Sequence, residues 1–237
     1  MTLTKLLPDS LYGTLVVSCQ ADAGTPLAAP THLAAIAAAV VEGGASAIRT
    51  EGLANVEAVR ACVAVPVIGL VKTARADTEI YITPSIEDAR AIARAGADII
   101  AFDGTARPRP ASVVEMVAAI AESGALSMAD ISTVEEARAA VTAGADLVST
   151  TMAGYTSYTP ADEGPDFGLM RALGRAGISF VAEGRIWTTD EALQCFDLGA
   201  SFVVVGSAIT RPTLITQRFA RSIAGRQAAT PQRKVPS

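Results

Sequence analysis

Lys72 is the one lysine in the body of a chain that otherwise uses arginine wherever it places a cation. Lys5 and Lys234 sit near the termini, and the other 16 of the 19 basic residues are arginine. A guanidinium keeps its proton, whereas an amine partly withdrawn from water can be brought toward a neutral pKa. A lysine directly after the apolar run VPVIGLV therefore reads as a proton carrier, with a fixed partner for phosphate or carboxylate as the plainer alternative. Three acids close similar apolar runs: Asp103, Asp130 and Glu183. A carboxylate in such a place can orient the lysine, bind a hydroxyl or relay a proton. For Asp103 a plainer role competes, because the loop FDGTARPRP could use the acid only to order itself.

Two further stretches suit an anion. AEGRIWT and VVVGSAITRP each pass from an apolar run into a glycine-containing turn. Gly184, Gly206 and Ser207 let backbone N–H groups approach a phosphate closely, and Arg185 and Arg211 bring charge. Gln20 and Arg49 end two more apolar runs and complete the set of polar groups that could face a common ligand. The single histidine, His32, lies just after Pro30 at the start of an alanine-rich run and reads as a first-turn surface residue. One imidazole cannot supply a multi-histidine metal site, and no metal or organic cofactor is called for.

Composition narrows the class. A formal charge of −5 and the lack of a basic cluster argue against nucleic acid as a partner. Apolar runs such as 33–41 are far too short to cross a bilayer, and the first residues carry no signal-peptide pattern. Three cysteines without a CxxC fit reduced thiols and a cytoplasmic location. A homo-oligomer is compatible with all of this.

The elements that must position these residues announce themselves by repetition. EGGASAIRT, RAGADIIAF, TAGADLVST and DLGASFVVV each end a helical stretch in glycine and pass into a β-rich run. Their glycines, Gly44, Gly96, Gly144 and Gly199, recur about every 50 residues, the length of two βα units. Between them lie TLVVSCQ, VPVIGLVK, ALSMADI and ISFVAEG, each leading into a helical pattern. Helices are expected near 33–41, 56–62, 85–95, 112–122, 134–143, 167–175, 191–198 and 214–224. Eight alternating units with continuous apolar strands predict an α/β fold, a single-domain (β/α)8 TIM barrel over 1–224, followed by a polar tail over 225–237. In such barrels the chemistry gathers at the C-terminal ends of the strands, where Gln20, Arg49, Lys72, Asp103, Asp130, Glu183, Arg185, Gly206 and Ser207 fall.

These motifs resemble those of the N-acetylmannosamine-6-phosphate 2-epimerases along nearly the whole chain. The matching stretches are LVVSCQA at 15–21, PVIGLVK at 66–72, YITPS at 81–85, GADIIAFDGTARPRP at 96–110 and MADIST at 128–133. GYTSYT at 154–159, PDFGLMRAL at 165–173, AEGRIWT at 182–188 and VGSAITRP at 205–212 continue the series. The resemblance implies a cofactor-free isomerase acting on a phosphosugar in amino-sugar and sialic acid catabolism. It implies that Lys72 works on carbon 2, that Glu183 assists, and that Gln20, Arg49 and Asp130 hold the substrate. Two departures stand out. IRTEG at 48–52 replaces the family's IRANG, so Glu51 adds a charge to which the resemblance gives no role, and ThrAlaArgAlaAspThrGlu after Lys72 replaces a basic residue and DYPDSE. Two readings from other classes stay open. A lyase or synthase barrel would use Lys72 for a Schiff base, which borohydride would trap. A non-catalytic phosphosugar-binding barrel would gain nothing from lysine over arginine at this position.

Overall fold

The eight apolar runs form eight parallel strands in the computed structural model. The strands are β1 (Leu15–Cys19), β2 (Ala47–Glu51), β3 (Val67–Leu70), β4 (Ile99–Asp103), β5 (Leu126–Asp130), β6 (Leu147–Ser149), β7 (Phe180–Glu183) and β8 (Ala200–Val205). They pair in sequence order, and β1 pairs with β8 to close the barrel. The structure describes residues 11–229 except 77 and 162; Lys5, Lys234 and most of the expected tail lie outside these.

The helices follow the predicted pattern: α1 (Pro30–Glu42), α2 (Leu53–Cys62), α3 (Ile86–Arg94), α4 (Val113–Glu122), α5 (Val134–Thr142), α6 (Phe167–Arg175) and α7 (Thr189–Asp197). His32 lies in the first turn of α1. Ser112–Glu115, Thr133–Glu136 and Thr188–Glu191 close reciprocal capping boxes at the starts of α4, α5 and α7. Each box satisfies otherwise orphaned N–H groups at the helix start, a contribution of about 1 kcal/mol. At the other end of the units, Gly44, Gly96, Gly144 and Gly199 all take positive φ, between 88° and 104°, as the helix-to-strand turn requires.

After β8 come α8 (Ser207–Thr210) and α9 (Pro212–Ala229). The boundary drawn at residue 224 falls inside α9. Gly225 weakens a helix by only about 1 kcal/mol relative to alanine, and the helix runs on through it. α9 exposes Phe219 and Ile223 to solvent.

Alternation along the strands sorts the core. Val16, Ile68, Leu70, Ala101, Met128, Val181 and Val204 pack inside the barrel, while Val17, Ile48, Ile100, Ala129 and Val203 face the helices. Continuing the inward row by twos brings Ser18 and Gln20, Arg49 and Glu51, Lys72, Asp103, Asp130, Glu183 and Gly206 to the C-terminal mouth.

Candidate active site

A cavity of about 480 Å3 opens at that mouth, within the range of small-molecule sites. Gln20, Arg49, Lys72, Glu183, Gly184, Arg185, Gly206, Ser207 and Arg211 line it, so the structure brings together nearly all the residues expected there. Asp130 and Asp103 are not part of the lining.

Lys72 leaves β3 where the chain folds into a hairpin. The Thr73 amide donates to Tyr81 O (2.9 Å), the Thr83 amide donates to Val71 O (2.8 Å), and Lys72 bridges Ile82. The side chain reaches the mouth, and its Nζ donates to Gln20 Oε1 at 2.7 Å; Gln20 Nε2 in turn donates to Ser18 Oγ at 3.0 Å. Lys72 has accessible surface, yet the protein around its amine withdraws enough water to lower its pKa. The nearby Arg49 charge lowers it further, while Glu51, Glu183 and Asp130 work in the opposite direction.

Beneath the lysine, Arg49 is 1% exposed and shared by two acids. Its Nη1 and Nη2 donate to Asp130 Oδ1 and Oδ2 at 3.2 and 2.6 Å, and Nη1 also meets Glu183 Oε2 at 2.9 Å. Burial opposes the guanidinium charge, but the two carboxylates outweigh it and raise the Arg49 pKa. Burial also pushes both carboxyls up. One cation cannot fully compensate two anions. Asp130 holds the bidentate fork and Glu183 has a single contact to the same guanidinium, so Glu183 is the acid better placed to take a proton. Burial, opposed by Arg49 and reinforced by the Asp130 charge, brings Glu183 to about 7. Thr151 Oγ1 donates to Glu183 Oε2 at 3.1 Å. Asp130 thus acts one layer down, through Arg49, rather than as a direct wall of the cavity.

The Asp103 expectation needs correcting. The hairpin after β3 folds over the end of β4, where the Asp103 amide donates to Ile82 O at 3.0 Å. The fully buried carboxylate accepts from Thr105 N (3.0 Å), Thr105 Oγ1 (2.6 Å) and Arg107 Nη2 (2.5 Å). Asp103 orders the TARPRP loop and is sealed from the cavity.

Arg185 reaches the cavity but works largely as a clamp. Its Nε donates to Gly164 O (2.8 Å) and its Nη1 to Ala153 O (2.7 Å), which ties together both ends of the loop after β6. It does so from a left-handed backbone, φ 55°, uncommon for a side chain larger than glycine's. Gly184 (φ 118°), Gly206 and Ser207 form the rest of that rim, and Arg211 pairs with Asp22 beside them. A Cβ on Gly206 would stand 3.2 Å from Ser18 Cβ, so the backbone here leaves little room for a side chain.

Sequence reasoning missed three aromatic walls: Tyr81, Tyr155 and Trp187. Each carries an arginine over its ring, Arg107 at 6.0 Å, Arg185 at 5.5 Å and Arg218 at 4.9 Å. They lie on loops without periodicity, and the only signal in the sequence was their place just beyond strand ends. Among the described residues, no group of three or more His, Cys, Asp and Glu is gathered that could hold a metal ion.

A closed eight-stranded barrel with a perturbed lysine, a carboxyl near neutrality and a glycine-rich rim at its C-terminal mouth is a barrel enzyme equipped for acid–base chemistry. Residues 33–225 match the family model "Putative N-acetylmannosamine-6-phosphate epimerase". Relatives given that name, as 2-epimerases, include a Klebsiella pneumoniae (strain 342) protein 50% identical over 84% of this chain and 85% of its own. A Cutibacterium acnes protein is 46% identical over 91% and 96%. The solved N-acetylmannosamine-6-phosphate 2-epimerase from Clostridium perfringens superposes with a TM-score of 0.88 at 40% identity, covering 90% of this chain and 95% of that one. The chain belongs to the N-acetylmannosamine-6-phosphate epimerase family.

Proposed function

We propose that this protein interconverts N-acetylmannosamine 6-phosphate and N-acetylglucosamine 6-phosphate by removing and returning the proton on carbon 2. In the usual nomenclature it is an N-acylglucosamine-6-phosphate 2-epimerase, and it serves amino-sugar breakdown in the cytoplasm. The observation that carries this reading is the pairing of Lys72, whose amine is shifted toward neutrality, with Glu183 at about 7 in one cavity. An amine whose pKa is lowered and a carboxyl near neutrality are the pair that proton transfer at a weak carbon acid can use.

The sugar ring must first open to expose carbon 1 as an aldehyde, which acidifies the hydrogen on carbon 2. Neutral Lys72 takes that proton and becomes an ammonium, leaving an enolate whose charge faces Arg49 and the backbone donors of the mouth. The intermediate turns in the cavity to present its other face, and the Lys72 ammonium gives a proton back there, which inverts carbon 2 and restores the neutral amine. Glu183 moves the proton on oxygen during ring opening and closing. Gly184, Gly206, Ser207 and Arg211 hold the phosphate at the far rim. Every step uses groups of this chain alone.

Proton NMR of N-acetylmannosamine 6-phosphate in deuterated water tests the proposal. The carbon 2 proton signal should disappear as the second epimer forms. Conversion without deuterium at carbon 2, or no conversion at all, overturns it.

A further inference from the structure

Glu51 ends β2 on the same inward row as Arg49, opposite Leu70 in the β2–β3 register. Its main chain is fixed there: the carbonyl accepts from Asn55 Nδ2 at 2.6 Å, and the next amide, Gly52 N, donates to Leu70 O at 2.8 Å. Two residues past Leu70, Lys72 has left the regular ladder. Its amide donates instead to the Glu51 carboxylate, Oε1, at 3.3 Å. Glu51 does not line the cavity. Glu183 and Asp130 are both engaged by Arg49, whereas Glu51 meets the lysine through its own backbone.

We infer that Glu51 is a positioning residue for Lys72: its carboxylate holds the backbone from which the amine projects and sets the charge environment in which that amine works. The inference rests on the reading of Lys72 as the carbon acid's base. Around the amine stand Gln20 from the end of β1, Arg49 and Glu51 from β2, Tyr81 from the hairpin, Asp130 from β5 and Glu183 from β7. Arg49 favours the neutral amine. Of the acids that oppose it, Glu51 contributes most. Removing the Glu51 charge therefore favours the neutral amine further and moves the acid limb of the rate to lower pH.

The two roles separate by substitution. Glu51→Gln keeps an oxygen able to accept from the Lys72 amide and removes the charge, while Glu51→Ala removes both. The amine's titration can be read without any turnover, by competitive labelling of Lys72 with acetic anhydride across pH followed by mass spectrometry. In Glu51→Gln the Lys72 labelling curve should move down by roughly half a pH unit, the scale of one charge acting across a partly solvated gap. The acid limb of deuterium exchange at carbon 2 should move with it. Glu51→Ala should show the same displacement and a further loss in kcat of about tenfold at every pH, with KM changed far less, because the amine is no longer held in line. A labelling curve unmoved in both variants overturns the electrostatic role, and equal kcat in the two variants overturns the positioning role. Wild-type protein without exchange at carbon 2, but with a labelling curve that responds to Glu51→Gln, would sink the epimerase reading and leave the Glu51–Lys72 link standing.

Discussion

Asp130→Asn tests whether one guanidinium shared by two acids sets the Glu183 pKa. Asp130 Oδ1 and Glu183 Oε2 lie 3.2 and 2.9 Å from the same nitrogen, Arg49 Nη1, so they are no more than about 6 Å apart. At an effective dielectric near 20, two unit charges at that distance repel by about 3 kcal/mol, or about 2 pH units. The amide preserves shape and one acceptor for Arg49 while deleting the charge. Arg49 then belongs to Glu183 alone, and the Glu183 pKa should fall from about 7 to near its ordinary 4.5.

Stability should report the same change. A carboxyl raised from 4.5 to about 7 contributes stability that is full below the lower value and lost as pH rises through the higher one. In the wild type this loss amounts to about 3 kcal/mol, and in Asp130→Asn it should shrink to about 1 kcal/mol or less. Urea midpoints at pH 4.5 and 8 read the stability change. A carboxyl 13C titration, with Glu183 assigned by its absence in Glu183→Gln, reads the pKa directly. A Glu183 titration that stays near 7 in Asp130→Asn would refute the argument, because burial alone would then be holding the proton.

Other substitutions divide the roles at the mouth. Lys72→Arg should be nearly as damaging as Lys72→Ala, with almost no deuterium entering at carbon 2, because a guanidinium cannot supply a neutral base; near-normal exchange would transfer the proton to a carboxylate. Glu183→Gln should lower kcat by roughly 10²–10⁴ with KM changed by a small factor, measured by coupled assay of product, and normal turnover would reduce Glu183 to a structural part. Gly206→Asp should raise KM for the phosphorylated sugar by roughly tenfold or more, since its Cβ would already stand 3.2 Å from Ser18 Cβ and its carboxylate would repel a phosphate held at this rim. Unphosphorylated N-acetylmannosamine should turn over far more slowly with wild-type protein, and equal turnover of the two sugars refutes the assignment of that rim.

The strand rows were legible in the sequence because a parallel barrel strand permits only inward or outward positions. Once β3 is placed on VPVIGLV, residue 72 must follow Ile68 and Leu70 inward, and the same count delivers Arg49, Glu183 and Gly206. What the count cannot supply is the course of the loops. Asp103 has the correct parity and still fails as a wall, because the hairpin through Ile82 lies across it and Arg107 engages its carboxylate. Arg185 has the expected place, but its donors go to Ala153 and Gly164, carbonyls 11 residues apart that only the folded loop brings within one side chain's reach. Tyr81, Tyr155 and Trp187 are walls for the same reason, by loop geometry that no periodicity announces.

The preference for arginine elsewhere and lysine at 72 becomes a division of labour once Arg49 is seen beneath it. A permanent cation, buried to 1% exposure, cannot be silenced by burial because it binds its proton too tightly, and Asp130 locks it in place with a two-point fork. From that fixed position one charge acts on two neighbours in opposite senses. It disfavours a second cation, which pushes Lys72 toward the neutral form a base needs. It favours an anion, which keeps Glu183 from rising beyond the neutral range under its own burial and the Asp130 charge. Lysine at 49 would weaken both effects, since an ammonium can itself give up its proton in such a place and offers no planar fork to Asp130. Arginine below and lysine above is therefore the order in which one fixed charge, added to the effect of burial, lowers the lysine's pKa and holds Glu183 near 7.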